Sequence, residues 1–192
     1  MTLKKEGRIV TAFILHSVDT APEESRAILE SFQNKYGFLP NIIRMMAGSP
    51  STLKAYMGLS SEIAQGTLSP LEQHIVQITT NKLNGCRYCI ATHSKIADES
   101  GLDMATLRDV IADQPLKIAK LEALHHFTKV LITKGGRASD SDVDAFVHAG
   151  YAREQAMEVV ASIARKMLSN YIALLVSPPV DEVLNPYVVD VG

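Results

Sequence analysis

Apolar residues recur along most of this chain at steps of three and four, the spacing that places them on one face of an α-helix. Ile28, Leu29, Phe32 and Tyr36 follow that spacing in a helix that opens at Pro22-Glu23-Glu24 and ends at Gly37. A short helix is predicted from Asn41, and Ser49-Pro50 separates it from one running to Gly66. Ser69-Pro70-Leu71-Glu72 is a capping box with proline at the first helical position, so a helix begins there and stops near Asn84-Gly85. The next spans about Cys86 to Ser100, with Gly101 as its stop. A short helix begins at Asp103, a long one covers about Leu116 to Lys134, a short one follows Ser139 to Ser141, and a last long one runs from about Ala152 to Leu175. No strand-like alternation competes over a comparable length. The pattern predicts one all-α domain over 1–192, with an N-terminal arm of about 1–20 and a C-terminal tail of about 178–192. The tail has little period and is expected to lie across a neighbouring surface or subunit.

Composition narrows the class without changing this picture. The 192 residues are enough to bury a core without staples. The net charge of -2 comes from acids and bases mixed along the chain, which leaves no phosphate-binding footprint, so no nucleic-acid partner is expected. No apolar run in the sequence approaches the roughly 18 residues of a membrane span, so no membrane association is expected either. Lys4-Lys5 followed by Ile9 to Leu15 has the outline of a secretory leader. The run is short, however, and His16, Ser17 and Asp19 follow at once, so an ordered arm of a cytoplasmic protein is expected.

Both cysteines of the chain fall in one stretch, Asn84-Gly85-Cys86-Arg87-Tyr88-Cys89-Ile90-Ala91-Thr92-His93. In a regular helix Cys86, Cys89 and His93 share an arc of about 60°. The first turn of a helix favours a thiolate. His93 can pass a proton, or support the thiolate as imidazolium. A vicinal dithiol beside a base can cycle between thiol and disulfide, and a sulfenic acid at one cysteine can be resolved within the chain only by the other. Two further readings of the same residues stay open. Buried free cysteines can be plain packing, and Cys86, Cys89 and His93 can supply three metal ligands with His74 as a fourth. Arg87 and Tyr88 project away from the shared face and read as surface and packing. His16, His125, His126 and His148 are not assigned to the site.

Leu68-Ser69-Pro70-Leu71-Glu72 through Leu83-Asn84-Gly85-Cys86-Arg87-Tyr88-Cys89-Ile90-Ala91-Thr92-His93 resembles the AhpD-like alkylhydroperoxidase branch of the carboxymuconolactone decarboxylase-like superfamily. Gly37 to Asn41, Ala47 to Pro50, Ala149 to Tyr151 and Leu168 to Tyr171 extend the likeness over most of the chain. The resemblance implies an all-helical homo-oligomer, trimer or hexamer, acting as an antioxidant thiol peroxidase without metal or cofactor. Its substrate would be a hydroperoxide, and a lipoylated or thioredoxin-like protein would be its reductant. By the same resemblance Cys89 attacks the peroxide, Cys86 closes the disulfide and His93 belongs to a proton relay. A general thiol–disulfide oxidoreductase using the same pair is the first alternative. The second is a helical binding or assembly protein whose cysteines are inert or metal-bound.

Two positions depart from the best-known pattern. His74 stands twelve residues before Cys86, where that pattern has a glutamate, and Tyr88 stands where it has a histidine. Glu72 is two residues off, about 200° around the helix, and its capping role accounts for it. His74 is therefore placed with the catalytic set as a neutral water-linked relay or a charged group that lowers a thiol pKa. Altered pH dependence or a different preferred substrate is expected to follow.

Overall fold

The computed structural model describes residues 2–5, 8–11 and 13–190, with side chains from residue 13 onward. Nine α-helices form among them: α1 (Glu23–Tyr36), α2 (Asn41–Met46), α3 (Pro50–Ala64), α4 (Pro70–Leu83), α5 (Arg87–Glu99), α6 (Met104–Ala112), α7 (Ala119–Thr133), α8 (Asp140–His148) and α9 (Gln155–Val176). The all-α reading of the sequence is correct, and its helix boundaries lie within a few residues of these. The arm departs from it. Strands Thr2–Lys5 and Arg8–Thr11 pair antiparallel, Thr2 opposite Thr11, as a hairpin apart from the helical domain.

The local signals act as expected. Ser69 accepts from the Glu72 N–H and Glu72 accepts from the Ser69 N–H, closing the capping box of α4. The Glu72 carboxylate also meets Lys120 at 3.2 Å, so it is fully employed in holding α4. Asp103 caps α6 through the Ala105 and Thr106 N–H groups. Ser139 caps α8 with Asp142 as its reciprocal partner.

Two apolar clusters share helices α5 and α9. One joins Ile75, Leu107, Leu124, Phe146 and Val159 from α4 and α6–α9. The other joins Leu29, Ile43, Leu53, both cysteines, Ala173 and Leu184. The sequence reading found no apolar run long enough to suggest a membrane span. In the structure α9, at 22 residues, is by length and composition alone long and apolar enough to cross one. Here it packs against α3 and α4, burying Ser162, Lys166, Ser169 and Asn170. Polar groups on the inner face of such a helix require partners in the fold, and they mark where chemistry can sit.

The tail does not reach away from its own chain. Glu182–Tyr187 forms a 3-10 turn that lies on α5 and buries Leu184. The Tyr88 hydroxyl donates to Asp181, the Tyr187 hydroxyl donates to Asp98 at 2.7 Å, and Arg87 pairs with Asp190. Asp181 also accepts from the Asn41 N–H at the start of α2. The tail thus lies across a neighbouring surface, as the sequence reading allowed, and that surface is the chain's own α5.

Phe146 is 1% exposed and stacks between Phe127 and Tyr151 with ring centroids 4.5 Å away on each side. Phe146→Ala removes both stacks and leaves a cavity. An equilibrium urea titration is expected to show a loss of about 3–5 kcal/mol.

Candidate active site

The site begins with how α4 stops. Gly85 adopts φ +66°, its N–H bonds the Lys82 carbonyl at 2.9 Å, and the Cys86 N–H bonds the Asn81 carbonyl at 2.9 Å. This paired closure is a Schellman motif, and it relies on a residue that tolerates a left-handed backbone. It turns the chain so that Cys86 caps α5 at φ -86°, ψ 85°. The sequence reading placed Cys86 inside the helix; the α4 closure takes its N–H, so the helix starts one residue later. The sulfurs still meet, because Cys89 lies in the first helical turn and Cys86 at its mouth. The Asn81 amide donates to the Cys89 carbonyl at 3.1 Å and ties the two helices together beneath the pair.

Cys86 and Cys89 are reduced and buried. Their environments push them apart. The hydrogen bond from the Cys86 thiol holds the Cys89 sulfur as thiolate, lowering its pKa to about 7 against the opposing effect of burial. The charges of Lys166 and Arg165 and the Ser169 hydroxyl help. The same hydrogen bond and burial push the Cys86 thiol far up. The pair is thus asymmetric, Cys89 the more readily ionised sulfur and Cys86 the proton-bearing one.

Lys166 was not anticipated from the sequence. It projects inward from α9, only 2% exposed, and its Nζ lies 2.9 Å from His93 Nε2. A buried ammonium needs a counter-charge or strong acceptors. Here it has the imidazole lone pair and the field of the Cys89 thiolate. The readable signal was Arg165-Lys166, a cationic pair inside the apolar run from Ala156 to Val176.

This contact redefines His93. Burial, and next to it the Lys166 charge, hold its pKa well below the ordinary imidazole value, so the ring is neutral. The imidazolium option is corrected: the cation beside the thiols is Lys166. Because Nε2 accepts from Lys166, the ring proton sits on Nδ1, which is buried without a partner. His74 meets this ring edge-on, with centroids 5.6 Å apart. His74 Nδ1 donates to the Pro70 carbonyl at 2.9 Å, which leaves Nε2 as a lone pair, also buried and unpartnered. Burial lowers the His74 pKa, so it too is neutral. The two rings are neighbours with no hydrogen bond between them, each keeping one buried, unpartnered nitrogen.

The structure thus brings together all four residues singled out in the sequence, Cys86, Cys89, His93 and His74. Tyr88, read as packing, is a strap: its hydroxyl accepts from the Ile42 N–H at 3.3 Å while donating to Asp181. Burial, with Asp181 next, raises its pKa, so it stays a phenol. The other histidines have separate roles, His148 on the Asp144 carbonyl and His16 on the Thr20 carbonyl among them. A metal would compete with Lys166 for His93 Nε2 in the field of two cations. Among the described residues no three His, Cys, Asp or Glu groups converge to hold one. A cleft of about 320 Å³ opens beside the site and is lined by Tyr88, Thr92, His93 and Arg165.

Lys166→Met is expected to move the ultraviolet thiolate titration of Cys89 upward from about 7, by about one unit or more. Lys166→Arg is expected to keep it low. The same methionine variant is expected to be less stable to urea, because it leaves the buried His93 Nε2 lone pair without its donor.

The sequence model of the Carboxymuconolactone decarboxylase family matches residues 50–114, which include His74, Cys86, Cys89 and His93 but not Lys166. Among curated proteins no relative matches the chain. The fold is similar to that of an uncharacterised peroxidase-related protein with an alkylhydroperoxidase AhpD core from Ralstonia eutropha JMP134: 20% identity, TM-score 0.81, 90% of this chain and 93% of that one. It is also similar to a peroxidase-related protein from Silicibacter sp. TM1040, at 20% identity and TM-score 0.76 over 96% of this chain and 97% of that one. The debrominase Bmp8 bound to 2,3,4-tribromopyrrole aligns at 17% identity and TM-score 0.76, over 97% of each chain. At such identities the likeness is one of fold. The chain is AhpD-like in fold and carries at residues 50–114 the segment of the carboxymuconolactone decarboxylase family.

Proposed function

We propose that the protein is a thiol-dependent hydroperoxide reductase. The observation that carries this reading is the opposed pair: Cys89 lowered to about 7 and Cys86 raised, one hydrogen bond apart. Such asymmetry suits a nucleophile and its resolving partner and has no use in inert packing. The Cys89 thiolate attacks the distal peroxide oxygen, the O–O bond breaks, and a proton reaches the departing alkoxide to give ROH and a Cys89 sulfenic acid. The Cys86 thiol then displaces hydroxide, which leaves as water with the thiol proton, and the disulfide forms. A dithiol returns two electrons and two protons.

Lys166 and His93 supply the proton path, with the neutral His74 ring beside them. A proton given by Lys166 to His93 Nε2 releases the one on Nδ1, so the neutral ring passes protons without holding charge. This arrangement replaces the carboxylate of the better-known pattern. The buried pair is better suited to a lipoyl arm, which is long and narrow, than to a flat protein surface, and a cytoplasmic dithiol without structural disulfides is the setting proposed for it. A row of exposed apolar side chains on α9, Met157, Val160, Tyr171, Leu174 and Leu175, supports a homo-oligomer, trimer or hexamer.

Titration of free thiols is expected to show both lost per equivalent of organic hydroperoxide. Cys86→Ser should stop at a sulfenic acid trapped by dimedone, and Cys89→Ser should leave Cys86 unreacted. Retention of both thiols in the natural protein overturns the reading. Disulfide reduction without peroxide consumption reassigns it to thiol–disulfide exchange. The attack rate should rise with pH through about 7 and level off above, because the thiolate is lost to protonation below that pH. In light scattering, Leu175→Lys with Tyr171→Lys is expected to lower the oligomer mass.

A further inference from the structure

The cleft beside His93 has aromatic walls and, among the described residues, a single cation without an acidic partner. Phe32 and Tyr36 of α1, Tyr56 of α3 and Tyr88 of α5 supply the rings. The volume of about 320 Å³ lies at the small end of ligand sites, enough for one ring with substituents and too small for a long chain.

The charges within it are not equivalent. Glu99 is paired with Lys95, and Asp181 already accepts from Tyr88 and the Asn41 N–H. Arg165 has only neutral partners among the described residues: Nε donates to the Ser60 hydroxyl at 2.7 Å and Nη2 to the Tyr56 hydroxyl at 3.0 Å. The guanidinium lies 5.0 Å from the Tyr56 ring centroid, so its plane is held in place. It has five N–H donors and retains spare ones. A planar cation fixed by neutral oxygens in an apolar cleft is a carboxylate receptor. Its charge also reaches Cys89 and His93, and of these His93 lines the cleft.

Resting on the peroxidase reading, we propose that the cleft selects aryl hydroperoxides that bear a carboxylate, with the ring among the aromatic walls and the carboxylate on Arg165. The O–O cleavage and its balance are those given above. Arg165 acts on specificity and touches the substrate, while Cys89 does the chemistry.

The test compares cumene hydroperoxide with its meta- and para-carboxylated derivatives. For at least one isomer, kcat/KM is expected to exceed that of the parent by about tenfold or more, the effect of one charge-assisted contact. Arg165→Gln should bring the ratio to about one, and Arg165→Lys should restore part of it. A ratio of one in the natural protein, or one unchanged in Arg165→Gln, overturns the proposal. Any loss of thiolate character in these variants affects both substrates alike, so the ratio reads recognition alone. Binding of the product alcohols to Cys89→Ser, followed by calorimetry, separates the two ideas. Carboxylate-dependent binding without peroxide turnover overturns the peroxidase reading and leaves the cleft assignment standing. Turnover without carboxylate preference overturns the assignment alone.

Discussion

The ammonium of Lys166 has no access to water, and much of the site follows from how the fold accommodates it. Burying a lone cation costs several kcal/mol unless acceptors and counter-charge surround it. The protein answers with His93 Nε2 at 2.9 Å and with a sulfur whose ionised form the cation favours. Once that contact is fixed, the tautomer of His93 is fixed, with its proton on Nδ1. The charge state of Cys89 and the neutrality of both rings have this cation among their causes, although it sits 73 residues beyond His93 in sequence.

Three elements bring these groups together, two by local means and the third by long-range packing. The Gly85 closure ends α4 and sets Cys86 at the mouth of α5, while Asn81 ties α4 to the Cys89 carbonyl. The capping box fixes where α4 begins, and with it the register that places His74 beside His93. α9 then crosses α4 with Lys166, Ser169 and Asn170 turned inward. The polar residues of its buried face are the site's residues, which is why a helix so apolar elsewhere carries them.

Much of this was legible beforehand. Caps, prolines and glycines marked the helices because they act within one turn, and Glu72 could be assigned to its cap for the same reason. The Cys86–Cys89–His93 cluster was visible because helix geometry alone brings it together. Lys166 was not, since its role depends on α9 packing against α4 and α5, a contact between distant segments that periodicity does not encode. The imidazolium option for His93 falls for the same reason: an unseen neighbour supplies the charge. Tyr88 read as packing because its partners, Ile42 and Asp181, come from either end of the chain.

The opposed thiols also bear on the energetics of electron exchange. A cation and a hydrogen bond that favour the Cys89 thiolate stabilise the dithiol form and offer nothing comparable to a neutral disulfide. The couple is therefore shifted toward a higher reduction potential than an unassisted pair would have. Oxidation strips Lys166 of its counter-charge, and the protein regains that electrostatic energy only by accepting electrons. The cation that sharpens the nucleophile also makes the oxidised protein easy to recharge.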